Sequence, residues 1–457
     1  MKHRVIITTL AATFMLSSAQ GNDAILDILV RKGVLTQQEA NQVREQADVQ
    51  TAQTFEIYNK SKTSSWLDSL TWSGDLRLRA DYIGREESGG KIISSNTGSA
   101  QADQLRFRYR LRLALEARFP EWMTVNVRLA SGDGDPVSTN TSLSDTFRKK
   151  PITLDIVSAT IQPPGWDWAK LIVGKMENTI WQPKLNSPMV YDNDVTPEGI
   201  AEQIHWSFGD QGQHRLFANF GQFALKEISG DANDVYMFDL QSGIEAKFGG
   251  EPKTPKLRLQ GLGGFYFTQN LGNLTAGDSP NLGNAFSGSK TNYFAEFNVM
   301  YFRGEAAWQI SERPFCGTPC ILTLSGEYDE NLTPAFDRMT GALSSAATSP
   351  DQTTGWTVQL AFGEAKKKGQ WMVAYQYKHL EADATFDGLT DSDWGNGGTD
   401  RKGHAIRGSY NFQDWWTFTV SAFVTEKISN RPNSGRNQNG LAGEDHFRVL
   451  IDNVIKF

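Results

Sequence analysis

An antiparallel, all-β transmembrane barrel is the fold class this sequence predicts, and three observations predict it. Apolar residues recur at every second position from Leu105 to Phe119, with polar residues between them except at Ala114. Strand-like runs are joined by short and long connections in turn. Aromatic residues gather beside the short ones. Fifteen alternating residues are long for an ordinary globular strand. An apolar stripe of that length needs lipid or a second sheet to cover it.

Composition narrows the field. The chain has 457 residues, a net charge of −7 and 21% charged residues. Its 26 Phe, 13 Trp and 12 Tyr argue against disorder. Its acidic balance argues against a general nucleic-acid binder. No run of 18 apolar residues occurs, so no transmembrane helix is expected. That says nothing against a membrane barrel, whose strands show only alternate apolar residues.

Residues 1–21 read as a cleaved secretory signal. Lys2, His3 and Arg4 precede a short apolar core, and Ala19-Gln20-Gly21 offers a small-residue cleavage site. Its removal would leave a net charge of −7 − 2 = −9. Export places the chain where disulfides persist, so Cys316 and Cys320 are expected to pair across a short loop. Residues 22–65 read as a periplasmic helical segment and linker. Gly33 suits a C-cap, and Thr36 with Glu39 matches a capping box.

Residues 66–457 are expected to form the barrel, and from about residue 70 the period becomes two. Trp72, Leu76, Leu78, Ala80 and Tyr82 share one face, with Asp75, Arg77, Arg79 and Asp81 on the other. Sixteen strands are expected, over 70–82, 105–119, 122–131, 153–161, 169–176, 200–208, 214–223, 235–248, 256–267, 291–302, 320–328, 355–363, 370–380, 403–412, 415–425 and 446–457. Phe302 to Ile310 can extend one long strand or form an added one, so fourteen or eighteen stay open. Long connections such as 132–152, 177–199 and 381–402 alternate with short ones such as Pro120-Glu121 and Gln413-Asp414. This is the habit of outer-membrane barrels. Trp122, Trp166, Trp168, Trp371, Trp415 and Trp416 flank the short turns, where a girdle at the headgroup level belongs.

Facing follows from energetics. An arginine on the lipid face near the midplane costs about 2–4 kcal/mol. Arg106, Arg108, Arg110 and Arg112 are therefore expected to line the lumen, joined by Arg77, Arg79 and Arg128. Such arginines can face permeating ions, or be held by inward carboxylates of neighbouring strands.

Several segments resemble a known family. Gly74 to Arg79, Pro136 to Asn140, Gly174-Lys175-Met176, Asp192-Asn193-Asp194, Pro197-Glu198-Gly199, Asp391-Ser392-Asp393 and Gly397 to Asp400 occur in the order seen in the putative porins of Gram-negative outer membranes. That group is similar to the phosphate-selective and general trimeric porins. The resemblance runs over almost the whole chain after the signal. It implies a sixteen-stranded, homotrimeric barrel with its third loop, near 177–199, folded into the pore. Glu177, Asp192, Asp194 and Glu198 would then oppose the basic wall across a constriction. The last strand ends on Phe457, resembling the signal read by the barrel assembly machinery. The cysteine pair lies outside the pattern.

The resulting expectation is a porin passing small hydrophilic solutes and ions passively, with anions preferred and no cofactor. Alternatives are a channel selective for phosphate-like anions and a non-conducting adhesive or structural barrel. An enzyme is not expected: no G-x-S-x-G or H-E-x-x-H motif occurs. No metal ligand set stands out, since Asp133-Gly134-Asp135 lacks the spacing of a calcium loop.

Overall fold

A computed structural model describes residues 67–86, 103–120, 122–230, 232–252, 254–274, 278, 283–284, 296–333, 352–429 and 445–457. The chain divides into two units, Met1–Ser69 and Leu70–Phe457, and the second is the barrel. The expected signal, 1–21, and the helical segment, 22–65, lie outside the described residues.

The wall is built from β1 (Ser69–Glu86), β2 (Gln104–Phe119), β3 (Met123–Ser131), β5 (Ile152–Ile161), β6 (Ala169–Lys175), β7 (Glu198–Phe208), β8 (His214–Lys226), β9 (Val235–Glu251), β10 (Thr254–Gln269), β11 (Asn298–Phe315), β12 (Thr318–Asn331), β13 (Thr354–Gly363), β14 (Trp371–Leu380), β15 (Arg401–Gln413), β16 (Trp416–Lys427) and β17 (Asp445–Lys456). β4 (Thr141–Ser142) is a two-residue strand in the second long loop, paired with Arg108 and Tyr109 of β2. The barrel itself therefore has sixteen strands. Each pairs antiparallel with its sequence neighbour, and β1 closes the ring by pairing with both β2 and β17. Closure removes every sheet edge, as lipid requires.

One face of each strand is apolar and exposed on the isolated chain. Leu324, Leu360, Tyr375 and Ile406 follow one another as cross-strand partners around the wall, each about half-exposed. No interior remains to cover such a band, so lipid must. Rings cluster at the short turns: Trp166 lies 5.9 Å from Trp168, Phe362 5.6 Å from Trp371, and Phe412 4.7 Å from Trp416.

Two sequence expectations are corrected. The strand expected over 291–302 begins at Asn298 and continues to Phe315, with an irregularity between Gln309 and Ser311. Phe302 to Ile310 thus extends one long strand. Cys316 and Cys320 are free thiols. Cys316 and Gly317 form a two-residue turn with both φ positive, closed by the Phe315–Thr318 pair, while Cys320 lies along β12 opposite Ser311. At ~3.3 Å per extended residue their Cα atoms stand roughly 10 Å apart, beyond the ~7 Å a disulfide spans. Cys316 is exposed, and the buried Cys320 donates its thiol to the Arg313 carbonyl at 3.2 Å. A maleimide should therefore label the folded barrel once, at Cys316, without prior reduction. Two labels, or none until reductant is added, would contradict this arrangement.

The barrel's outer half holds an apolar core. Ile180, Val190 and Tyr191 of the β6–β7 loop pack with Met237, Tyr266 and Tyr301 of the wall and with Phe386 of the β14–β15 loop. Strand faces that alternate apolar-out lower down are therefore apolar on both sides where these loops enter. Gly174 of β6 and Gly199 of β7 face each other at the root of the β6–β7 loop, with φ of 114° and 151°. A Cβ at Gly199 would stand 2.0 Å from the Gln222 carbonyl oxygen, and one at Gly174 2.3 Å from that of Val157. Gly199→Ala is expected to destabilise the barrel by at least about 1–3 kcal/mol through backbone strain alone. A denaturant midpoint equal to that of the unsubstituted protein would refute this.

Candidate functional site

The charged face of β2 turns inward because Leu105, Phe107 and Leu113 take the lipid side. All seven sequence-predicted arginines lie on this inner wall, and each has partners. Arg79 binds Asp452 at 2.7 Å and Asp393 at 2.9 Å. Arg110 binds Asp75 at 2.9 Å and Asp194 at 3.0 Å, and Arg112 binds Asp75 at 2.7 Å. Arg106 and Arg108 share Asp81, which also holds Arg448 of β17 at 2.9 Å. Arg77 donates to Asn140 at 2.6 Å and stands 4.0 Å from Asp194. Arg128 joins Asp155 to Glu177. The wall is a ladder of ion pairs rather than a row of bare cations.

The loop of residues 176–197 runs across the interior and is pinned to distant strands. The Trp181 amide donates to Gln241 at 2.8 Å, that of Asn186 to Gln359 at 2.7 Å, that of Ser187 to Gln376 at 2.8 Å and that of Met189 to Glu327 at 3.0 Å. Tyr191 donates its hydroxyl to Asp239 at 2.7 Å. Backbone groups on a loop inside a barrel must find partners, and inward amides and carboxylates of the wall supply them.

The four acids expected on this loop separate. Asp194 does not oppose the wall across a gap; it is docked on it, against Arg110, Arg112 and Arg77. Glu177 meets Arg128 at 2.7 Å and is largely exposed. Asp192 turns the other way, to the β14–β15 loop, where it accepts from the Ser392 amide at 2.8 Å. Glu198 is a strand residue. It faces Lys175 across β6 at 2.8 Å, on the same side as the exposed Ile200, and takes no part in a constriction. Strand alternation sets its direction, and motif resemblance carries no information about that.

The β14–β15 loop, 381–400, is the second occupant of the interior. Asp393 reaches Arg79 and Arg448, and the Asp192 amide donates to the Leu389 carbonyl at 2.7 Å. The two loops therefore support one another. Their carboxyls divide by surroundings. Burial raises Asp192 well above the usual carboxylate range, with Asp391 and Asp194 adding repulsion. Asp391 is raised by burial and by Asp393. Burial works to raise Asp194 too, but Arg110, Arg77 and Arg112 outweigh it and hold it low. Arg79 and Arg448 do the same for Asp393.

The sequence reading misses Arg448, Asp393, Arg303 and Glu327. Arg448 is legible, because Phe447 and Val449 alternate around it. Arg303 and Glu327 form a wholly buried pair at 3.3 Å on the opposite wall. Beneath the β6–β7 loop, toward the short turns, lies a cavity of about 810 Å³. No cluster among the described residues has the make-up to hold a metal ion.

A family model described as putative porin matches residues 56–270 and 291–436. No curated protein matches. Among solved structures, OmpT of Vibrio cholerae in its trimer form is 12% identical, with a TM-score of 0.45 over 85% of this chain and 100% of that one. The outer-membrane channel DcaP of Acinetobacter baumannii is 12% identical, with a TM-score of 0.45 over 87% and 99%. OprB of Pseudomonas putida is 8% identical, with a TM-score of 0.48 over 85% and 94%.

Proposed function

Since the chain belongs to the putative porin family, we propose that it forms a passive channel through the outer membrane for small hydrophilic solutes and ions. The observation that carries this is the closed wall with a charged inner face, narrowed by a loop docked on the arginine ladder. The reading assigns the protein no catalytic step and no cofactor. It takes the chain to work as a homotrimer in outer-membrane lipid, inserted by the barrel assembly machinery acting on its last strand, where Phe457 stands exposed.

The ladder supports a modest anion preference only. Arg77, Arg79, Arg106, Arg108, Arg110, Arg112, Arg128 and Arg448 are met by seven carboxylates: Asp75, Asp81, Asp155, Glu177, Asp194, Asp393 and Asp452. Eight positive charges against seven leave an excess of one. A site for phosphate-like anions would need converging cations free of such partners.

Purified protein in a planar bilayer under a salt gradient tests the reading. Discrete conductance steps with a small anion-directed reversal potential are expected. Inserted barrels that never conduct would leave an adhesive or structural role. Saturation of the current by phosphate at low concentration would favour the selective channel.

A further inference from the structure

The cavity beneath the β6–β7 loop differs in chemistry from the ladder above it. It is bounded by strands β1 to β3 and β5 to β8, with Gln260 of β10, and roofed by residues 176–181. Five charged side chains line it, and four are already paired. Arg128 is held by Asp155 and Glu177, Arg215 stands 3.5 Å from Glu245, and Glu116 takes Arg118 at 2.7 Å. Lys170 is the remaining charge. The rest of the polar lining is neutral.

Neutral groups of two kinds face the space. Asn126, Gln203 and Asn219 supply carboxamides, and Thr71, Ser158 and Thr160 supply hydroxyls. Gln203 gives its NH₂ to the Thr179 carbonyl at 2.9 Å, and Asn219 gives its to Gln241 at 2.7 Å, which leaves their amide oxygens to accept. The side chains of Asn126, Thr71, Ser158 and Thr160 make no hydrogen bond among the described residues. Hydroxyl groups of a solute both donate and accept, and this lining does both. An anion offers only acceptors and would leave the amide oxygens unmatched.

Trp181 adds a flat apolar surface. Its amide donates to Gln241, and its carbonyl accepts from Gln241 at 3.2 Å and from Arg303 at 2.8 Å. The backbone is thus fixed on three bonds, and Trp181, partly buried and packed against the apolar core of the loop, is among the residues that line the cavity. A ring face of C–H groups can stack on such an indole while its rim of hydroxyls reaches the amides. The volume lies in the ~300–1,000 Å³ range of small-molecule sites.

We propose that this cavity is a binding station for neutral polyhydroxylated solutes of sugar size, seated on Trp181. The proposal rests on the channel reading and names a solute class for it. Single-channel current in KCl is to be measured while D-glucose is added, with gluconate as the charged analogue. A polyethylene glycol too large to enter controls for viscosity. Glucose is expected to lower the current saturably, and gluconate to do so no better. Trp181→Ala should raise the half-blocking concentration about three- to tenfold, the loss of one aromatic contact. Trp181→Phe, which keeps a ring face, should stay within about twofold of the unsubstituted protein. Current that only tracks viscosity, tighter block by gluconate, or no change in Trp181→Ala would each overturn the proposal while the channel stands. Barrels that insert without any conductance would overturn the channel reading, and this inference with it.

Discussion

Asp194→Asn should shift the channel toward anions at neutral pH. The carboxylate sits on Arg110 at 3.0 Å, with Arg112 at 3.7 Å and Arg77 at 4.0 Å. Removing one negative charge there changes the excess on the ladder from one to two. In a narrow passage with low-dielectric walls, each kT of potential enriches anions about threefold and depletes cations about threefold, so their ratio changes by about seven. The pH dependence gives a second readout. These arginines hold the Asp194 carboxyl below the usual carboxylate range. Its contribution to stability is therefore complete above the ordinary aspartate range and is lost as pH falls through the lowered value. Selectivity in the unsubstituted channel should stay constant down into acid and then turn toward anions. Asp194→Asn should show the acid behaviour already at pH 7 and lack that transition. An unchanged reversal potential would mean that permeating ions do not pass beside Asp194.

Arg303→Met should be among the most destabilising single substitutions in the barrel. The guanidinium is fully buried, 3.3 Å from Glu327, lies over the Tyr301 ring at 4.1 Å and donates to the Trp181 carbonyl at 2.8 Å. Asp239 and Asp329 stand within its field. Its loss would strand Glu327 as an uncompensated buried charge, a cost of about 3–5 kcal/mol. It would also release one of the bonds that pin the β6–β7 loop. Adding Glu327→Gln removes the stranded charge and keeps an oxygen for the Met189 amide, so the double variant should recover much of the loss. Denaturant unfolding of the barrel refolded in lipid measures both. A single variant that loses less than about 1 kcal/mol would show that water reaches and solvates Glu327.

The wall is largely legible in the sequence because lipid imposes a strict rule on it. Where Leu105, Phe107 and Leu113 face hydrocarbon, Arg106 to Arg112 must face inward, and the structure places them so. The rule fails where the inside is also apolar. The start of β11 is misread because Phe297, just before it, has the apolar character of a lipid-facing strand residue but is buried in the apolar core with Val299 and Tyr301. The ion pairs are not legible at all. Arg79 finds Asp452 and Asp393 at separations of 373 and 314 residues, and no local pattern carries such a partner. Its motif assigns Glu198 to the loop, whereas its position in the β7 alternation settles its direction. Compartment and proximity suggest the cysteine pairing, and the geometry of a two-residue turn decides against it.

The seam between β1 and β17 constrains how the molecule can be made. Asp75 pairs with Lys456, and Gly74 and Phe457 exchange backbone hydrogen bonds at 2.7 and 3.0 Å. These contacts join the first strand in chain order to the last. Until β17 is in place, β1 presents a row of unmatched amides and carbonyls, and so does whichever strand was added most recently. An incomplete sheet is therefore adhesive at both margins throughout its growth. The ring's final contacts are also its most distant in sequence, so their entropy cost falls on a single late event rather than being spread along the chain. A chain of this design gains nothing from folding as it emerges. It is better kept extended and bound until all sixteen strands can be zipped together in the membrane.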